Sequence, residues 1–198
     1  PYVGIGYRNL GLSCAEQRRS ADAQKLLERS VEVLEASWGH DHGETQLSRF
    51  ELAKVHLRQR RFAEAESLLR DCLETGQRVL APDHVYVGDS LLGLAGLFFA
   101  TGRMPEAAEY FARSVAILRR QFDYHFSYMS EADRLTFLST IEGFFPLYFS
   151  FCLRDRQRDP AALERFYDVV LWRKGFVGGS LASWRRRLAA GSDPDALR

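Results

Sequence analysis

Lysine is scarce in this 198-residue chain: Lys25, Lys54 and Lys174 are the only three, and arginine supplies the rest of the basic charge. We read that skew as compositional bias ahead of any phosphate-binding role. Net charge is equally scant, +1 from 27 basic and 26 acidic residues. No global field therefore draws the chain to nucleic acid or to an anionic membrane. Cysteine is limited to Cys14, Cys72 and Cys152. Their odd number and wide spacing argue against a disulfide framework, and no CxxC or Cys/His cluster offers a zinc site. Free thiols fit a reducing cytoplasm, where we place the chain. No apolar run reaches the length of a transmembrane helix, and no signal peptide is visible. A Gly-rich phosphate loop, HExxH and GxSxG are all missing, so no catalytic residue, cofactor or metal ligand is expected. The chain opens at Pro1 in mid-pattern, and we read it as a piece of a longer protein.

What the chain does have is a 42-residue period. Leu10, Leu52 and Leu94 are 42 apart, as are Ala23, Ala65 and Ala107, and Trp38, Leu80 and Phe122. The dipeptide Asp41-His42 recurs as Asp83-His84. A fixed period of this size with helical patterning predicts an all-α solenoid, and solenoids usually bind rather than catalyse.

Each unit reads as two helices and a tight turn. Helix A spans about 2–17, 44–60 and 85–101; helix B spans about 20–38, 62–80 and 105–122. Gly102 ends a helix by taking positive φ, and Pro105 sits in a first turn where its missing N–H costs nothing. Small residues recur where helices cross closely (Gly11, Ala53, Ala95; Ser30, Cys72, Ser114), with large ones opposite (Leu27, Leu69, Phe111). That alternation is what stacked helix pairs need. Cys72 is thereby a small core residue, not a nucleophile.

The residues Leu10-Gly11, Ala23, Leu27 and Ser30, with their counterparts one and two periods on, resemble the tetratricopeptide repeat. The phrases Arg60-Arg61-Phe62-Ala63-Glu64-Ala65 and Thr101-Gly102-Arg103-Met104-Pro105-Glu106-Ala107 look like that family's inter-helix phrase. Ser20 departs from it, standing where the other repeats have Phe62 and Met104. The longer period resembles repeats of the kinesin light chain type. The resemblance covers residues 1–122 as three helix pairs and implies a right-handed α-α superhelix.

In such a repeat, helix A lines the concave face. The resemblance thus implies a partner-binding groove of Ile5, Arg8, Leu47, Phe50, Lys54, Leu57, Asp89, Leu92 and Phe99, flanked by Leu12, Ala15 and Gly96. The Lys/Arg/Asn clamp that some such modules use for a C-terminal carboxylate is incomplete here. Most of these side chains are apolar, which suits an amphipathic helix or an extended apolar segment of a protein or peptide. Packing of the chain's own remainder in the groove is the competing use.

Residues 123–190 read as a helical extension packing on the end of the solenoid. An irregular aromatic stretch starts at Phe122. A capping box at Ser130–Asp133 then opens a long helix to about Leu153, kinked or divided at Pro146. Asp159-Pro160 starts another helix. Gly175, Gly178 and Gly179 loosen it before helical character resumes over 181–188. Trp184-Arg185-Arg186-Arg187 reads as a solvated helix face, and 191–198 as a linker toward a missing downstream domain.

Two stretches carry a second resemblance. Ser130-Glu131, Arg134 and Phe137, then Tyr167-Asp168-Val169-Val170-Leu171-Trp172-Arg173-Lys174-Gly175, are similar to segments of bacterial proteins that join tetratricopeptide repeats to a caspase-like CHAT domain. None of the His and Cys residues here, His125 and Cys152 included, sits in that family's dyad context. The resemblance implies a docking arm for a downstream peptidase domain of the same chain. A stand-alone adaptor is the alternative, and the sequence leaves the oligomeric state open.

Overall fold

A computed structural model describes residues 1–126, 133, 141 and 143–174, with no strand among them. Six helices make the first unit: α1 Tyr2–Glu16, α2 Ser20–Trp38, α3 Gly43–Arg58, α4 Phe62–Val79, α5 Val85–Ala100 and α6 Met104–Phe126. Each packs on the next in chain order. The chain divides into two compact units, Pro1–Ser127 and Tyr128–Arg198.

The period governs how each helix pair is built. The turns between α1 and α2, α3 and α4, and α5 and α6 are the same Schellman closure. Arg19 N–H donates to Cys14 O (2.9 Å), Arg61 N–H to His56 O (2.9 Å) and Arg103 N–H to Phe98 O (2.8 Å). The left-handed position falls at Arg18 (φ 60°), Arg60 (φ 60°) and Gly102 (φ 78°), again 42 apart. Glycine takes that conformation freely and arginine does not. Each turn then enters helix B through an arginine paired with an acid three residues on: Arg19–Asp22 (2.8 Å), Arg61–Glu64 (2.9 Å) and Arg103–Glu106 (2.9 Å). The repeated Asp-His dipeptide also has a local cause. Nδ1 of His42 accepts from Glu44 N–H, and Nδ1 of His84 from Tyr86 N–H, each at 3.2 Å, so both histidines cap a helix A.

The core is the predicted small-against-large seam. Ala23, Ala65, Ala107, Leu27, Leu69 and Phe111 are all sealed. A Cβ on Gly11 would lie 2.8 Å from Leu27 Cγ, so the closest approach of α1 to α2 requires glycine. The Ser30/Cys72/Ser114 row stitches each pair to its own helix A. Ser30 Oγ donates to Gly4 O (2.7 Å), Cys72 Sγ to Gln46 O (3.6 Å) and Ser114 Oγ to Gly88 O (3.3 Å). Burial pushes the Cys72 thiol up to about 12, which keeps it protonated and inert.

One position in this unit differs from its row, and one expectation needs correction. Leu10 is 58% exposed, whereas Leu52 and Leu94 are 7% and 0% exposed. Leu52 is sealed in a cluster with Ala23 and Leu27 of the preceding helix, α2, and the described residues place no such helix against Leu10. The aromatic stretch from Phe122 is not irregular at its start: α6 runs on to Phe126.

The second unit contains α7 Phe144–Asp155 and a helical run over 162–174. Ile141 and Gly143 lie in turns, so no continuous helix reaches Leu153 from Glu131. Pro146 is the third residue of α7 and kinks nothing, because an N–H there has no intrahelical acceptor. Phe144, Phe145, Tyr148 and Phe151 are buried, and Phe149 meets Phe166 of the following run at 4.6 Å between ring centroids. Asp159 Oδ1 accepts from Ala161 N–H (3.0 Å), the capping role expected of it. The cap at Ser130, the glycines from Gly175 to Gly179, helical character over 181–188, the Trp184–Arg187 face and the 191–198 linker lie outside the described residues.

Candidate functional site on the helix-A face

The three A helices place the predicted contacts on α1 (Ile5, Arg8), α3 (Leu47, Phe50, Lys54, Leu57) and α5 (Asp89, Leu92, Phe99). All but Arg8 are half-buried, the state of side chains lining a surface rather than filling a core. α1 touches α3, and α3 touches α5, so the three helices form a continuous face. Leu12 and Ala15 of α1 meet Glu51, Lys54 and Arg58 of α3 around an open hollow of about 370 Å³. Leu47 instead borders a second hollow of about 400 Å³ with Gln46, Cys72, Thr75 and Gly76. That hollow has a sequence cause: Gly76 stands where the other two repeats carry Leu34 and Leu118.

The charged members are engaged. Arg8 is buried and paired with Glu44 of α3, which makes it a bridge between repeats instead of the accessible cation expected. Lys54 Nζ lies 2.8 Å from Glu51 Oε2 and 5.5 Å from the centroid of the Phe50 ring. Asp89 sits on α5 within reach of both Lys54 and Glu51; burial, the largest influence, pushes its carboxyl up to about 6. Sequence reasoning missed Glu44 and Glu51. Glu51 was visible as an i,i+3 partner of Lys54; Glu44 was not, because it meets Arg8 across 36 residues.

A further network outside this face was also unforeseen. Arg49 of α3 pairs with Glu35 of α2 (2.8 Å) and with Asp71 of α4, and His40 Nε2 lies 3.1 Å from Asp71 Oδ1. Beside it, Asp41 takes a bidentate grip from Arg78 (2.6 and 2.8 Å), which with His40 holds its carboxyl at about 2. Burial pushes the Cys152 thiol up to about 11, the behaviour of an inert core thiol. Among the described residues no group of three or more His, Cys, Asp or Glu could hold a metal ion. No described helix is long and apolar enough to cross a membrane.

Comparisons with known proteins agree with this geometry. The tetratricopeptide repeat profile matches residues 2–75 and 44–120. No curated protein matches the chain. Among solved structures, BtubC (BKLC) from P. vanneervenii is similar over 85% of this chain, with TM-score 0.63 and 19% identity. This chain spans 63% of that protein's length. A Podosopora anserina kinesin-light-chain-like protein of nearly identical TPR-like repeats is similar over 96% of both chains, with TM-score 0.56 and 18% identity. Its single-substitution variant gives TM-score 0.55 and 19% identity over 94% of this chain and 95% of its own. At these identities the neighbours speak for the fold alone. With the two profile matches together covering residues 2–120, more than half of the chain, the chain belongs to the tetratricopeptide repeat family.

Proposed function

We propose that the first unit is a protein-interaction module whose helix-A face holds a peptide or protein segment, and that it serves as the docking arm for a CHAT peptidase-like domain of the same polypeptide in a bacterial cytoplasm. The observation that carries the binding role is the contrast in burial. Every large seam residue between helix A and helix B of a pair is sealed, while Leu47, Phe50, Leu92 and Phe99 are left half-buried on the A helices. Apolar area left in this state drives the docking of an apolar segment. The CHAT linkage is supported by the Tyr167–Gly175 resemblance, whose described part, 167–174, is helical with Tyr167 and Leu171 exposed. In this reading partner binding alters the geometry of the downstream domain, with Gly175, Gly178 and Gly179 as the hinge. The stand-alone adaptor is the second reading, favoured by the family assignment itself, which requires no linked catalysis.

Two measurements test this. Capture of partners from the source cells by wild type and by the Phe50→Asp/Leu92→Asp variant should differ, with helicity equal by circular dichroism. Equal capture removes the groove from the account. The intact mass of the native protein, isolated with an antibody to this chain, separates the two readings. A mass well above 22.6 kDa with C-terminal peptides containing a His and Cys pair supports the docking arm. A mass near that value leaves the adaptor.

A further inference from the structure

The helix-A face is not uniformly apolar, and its charges do not balance. Three ionisable groups meet where α3 faces α5: Glu51, Lys54 and Asp89. Lys54 is already committed. Its Nζ is 2.8 Å from Glu51 Oε2, and Phe50 lies beneath it. Glu51 is the more buried partner, its side chain 13% exposed against 41% for Lys54. Asp89 accepts no hydrogen bond from any described residue, and the charges acting on it, Lys54 and Glu51, both come from α3. Arg58, in the adjoining hollow, donates to Ala15 O and does not act on Asp89, so around Asp89 one cation serves two carboxylates.

The neighbourhood is apolar, with Leu92 one turn along α5 and Phe50 one turn along α3. A carboxylate in such surroundings is costly in its charged form. The rise of the Asp89 carboxyl to about 6, driven first by burial and opposed by Lys54, agrees with that cost. An incoming cation relieves it, whereas an incoming anion would meet two carboxylates and a lysine already paired.

We propose that this face selects a protein segment that places one basic side chain, lysine or arginine, within an otherwise apolar stretch. Asp89 is the principal acceptor and Glu51 the second carboxylate. The inference rests on the groove reading above and adds the chemistry of the residue the groove prefers. The period supports the assignment of a specificity element: Asp89 stands where the other repeats carry Ile5 and Leu47, and Lys54 where they carry Leu12 and Gly96.

A random 12-residue peptide library displayed on phage, panned against three forms of the protein, tests this. The forms are wild type, Asp89→Asn, and Phe50→Asp/Leu92→Asp, each first checked for equal helicity. Peptides selected by wild type should be apolar with Lys or Arg enriched at one position about tenfold over the library, and Asp89→Asn should keep the apolar preference and lose the basic one. For one selected peptide, changing its basic residue to Met should weaken binding about tenfold, and Asp89→Glu should restore the preference. Binding should also weaken from pH 7 to pH 5, as Asp89 takes up its proton. Apolar peptides without a basic preference, or a basic preference that survives in Asp89→Asn, would overturn the inference and leave the groove standing. Selection by wild type no better than by the Phe50→Asp/Leu92→Asp variant would overturn both.

Discussion

The seam between helices and the inner helix-A face belong to the same repeats, yet they treat the 42-residue period differently. Along the seam, each position keeps its character from repeat to repeat: Ala23, Ala65 and Ala107; Leu27, Leu69 and Phe111. On the inner face the rows break. Arg8 is followed by Phe50 and Leu92, and Leu12 by Lys54 and Gly96. Both regions lie on regular helices, so the difference is not one of secondary structure. Seam positions face a neighbour that is itself periodic, and packing density punishes any departure. Inner positions face no periodic neighbour and are free to diverge. In this array, agreement with the period marks what holds the fold, and the rows of the proposed groove are among those that depart from it.

The largest expected effect tests that division directly. Phe111→Ala should cost about 3–5 kcal/mol in urea unfolding, the range for emptying a sealed aromatic site. Phe50→Ala, half-buried on the inner face, should cost only about 1 kcal/mol. Comparable losses from the two would erase the distinction between seam and face.

A second pair sharpens it within one row. Leu52→Ala should destabilise by about 2–4 kcal/mol, but Leu10→Ala at the equivalent position should stay within about 0.5 kcal/mol. The exposure difference, 58% against 7%, is the whole basis for the contrast. A large loss from Leu10→Ala would mean that α1 is covered in solution.

The third effect is a pH dependence. The Asp89 carboxyl is raised in the folded protein to about 6 from an ordinary value of 3.8. Between those values the folded state holds a proton that the unfolded state has lost, so stability should fall as pH rises from about 4 to about 6. The loss is on the order of 2 kcal/mol, and Asp89→Asn should abolish that part of the pH profile. An unchanged profile in Asp89→Asn would assign the slope to other groups.

The smallest effect concerns the turns. Arg18→Gly and Arg60→Gly should each stabilise by about 0.5–1 kcal/mol, by relieving a left-handed arginine at the site where the third repeat has Gly102. Thermal melts of the single and double variants measure this. A loss of stability would show that the arginine side chains contribute more than their backbone strain removes.

These residues also show what was legible in the sequence. The six helices of the first unit and their seam could be read from periodicity, because burial repeats with the chain. Gly102 could be read as a turn residue by type, but Arg18 and Arg60 could not; only their spacing from Gly102 marked them. The two histidine caps escaped notice because Ser, Thr, Asp and Asn are the residues normally sought there. On the candidate site, the placement of its residues on the A helices followed from the repeat, while the state of their charges did not. Arg8 meets Glu44 across the gap between repeats, and Asp89 feels Lys54 across α3 and α5; such pairs depend on side-chain reach between helices. In the second unit, Pro146 suggested a kink by its type, but its effect depended on where α7 begins.

The Arg49 network has a mechanical consequence. Stability in a stacked array is a sum of terms within repeats and between neighbours, so a stretching load can peel such an array from its ends. Arg49 bonds the helix behind it through Glu35 and the helix ahead through Asp71, and fastens the middle of the stack on both sides. A pull applied at the two ends of the first unit should therefore detach the outer helices first, with α2, α3 and α4 yielding last as a block. Force spectroscopy would see that block as a late, separate rupture, and Arg49→Met should merge it with the earlier ones.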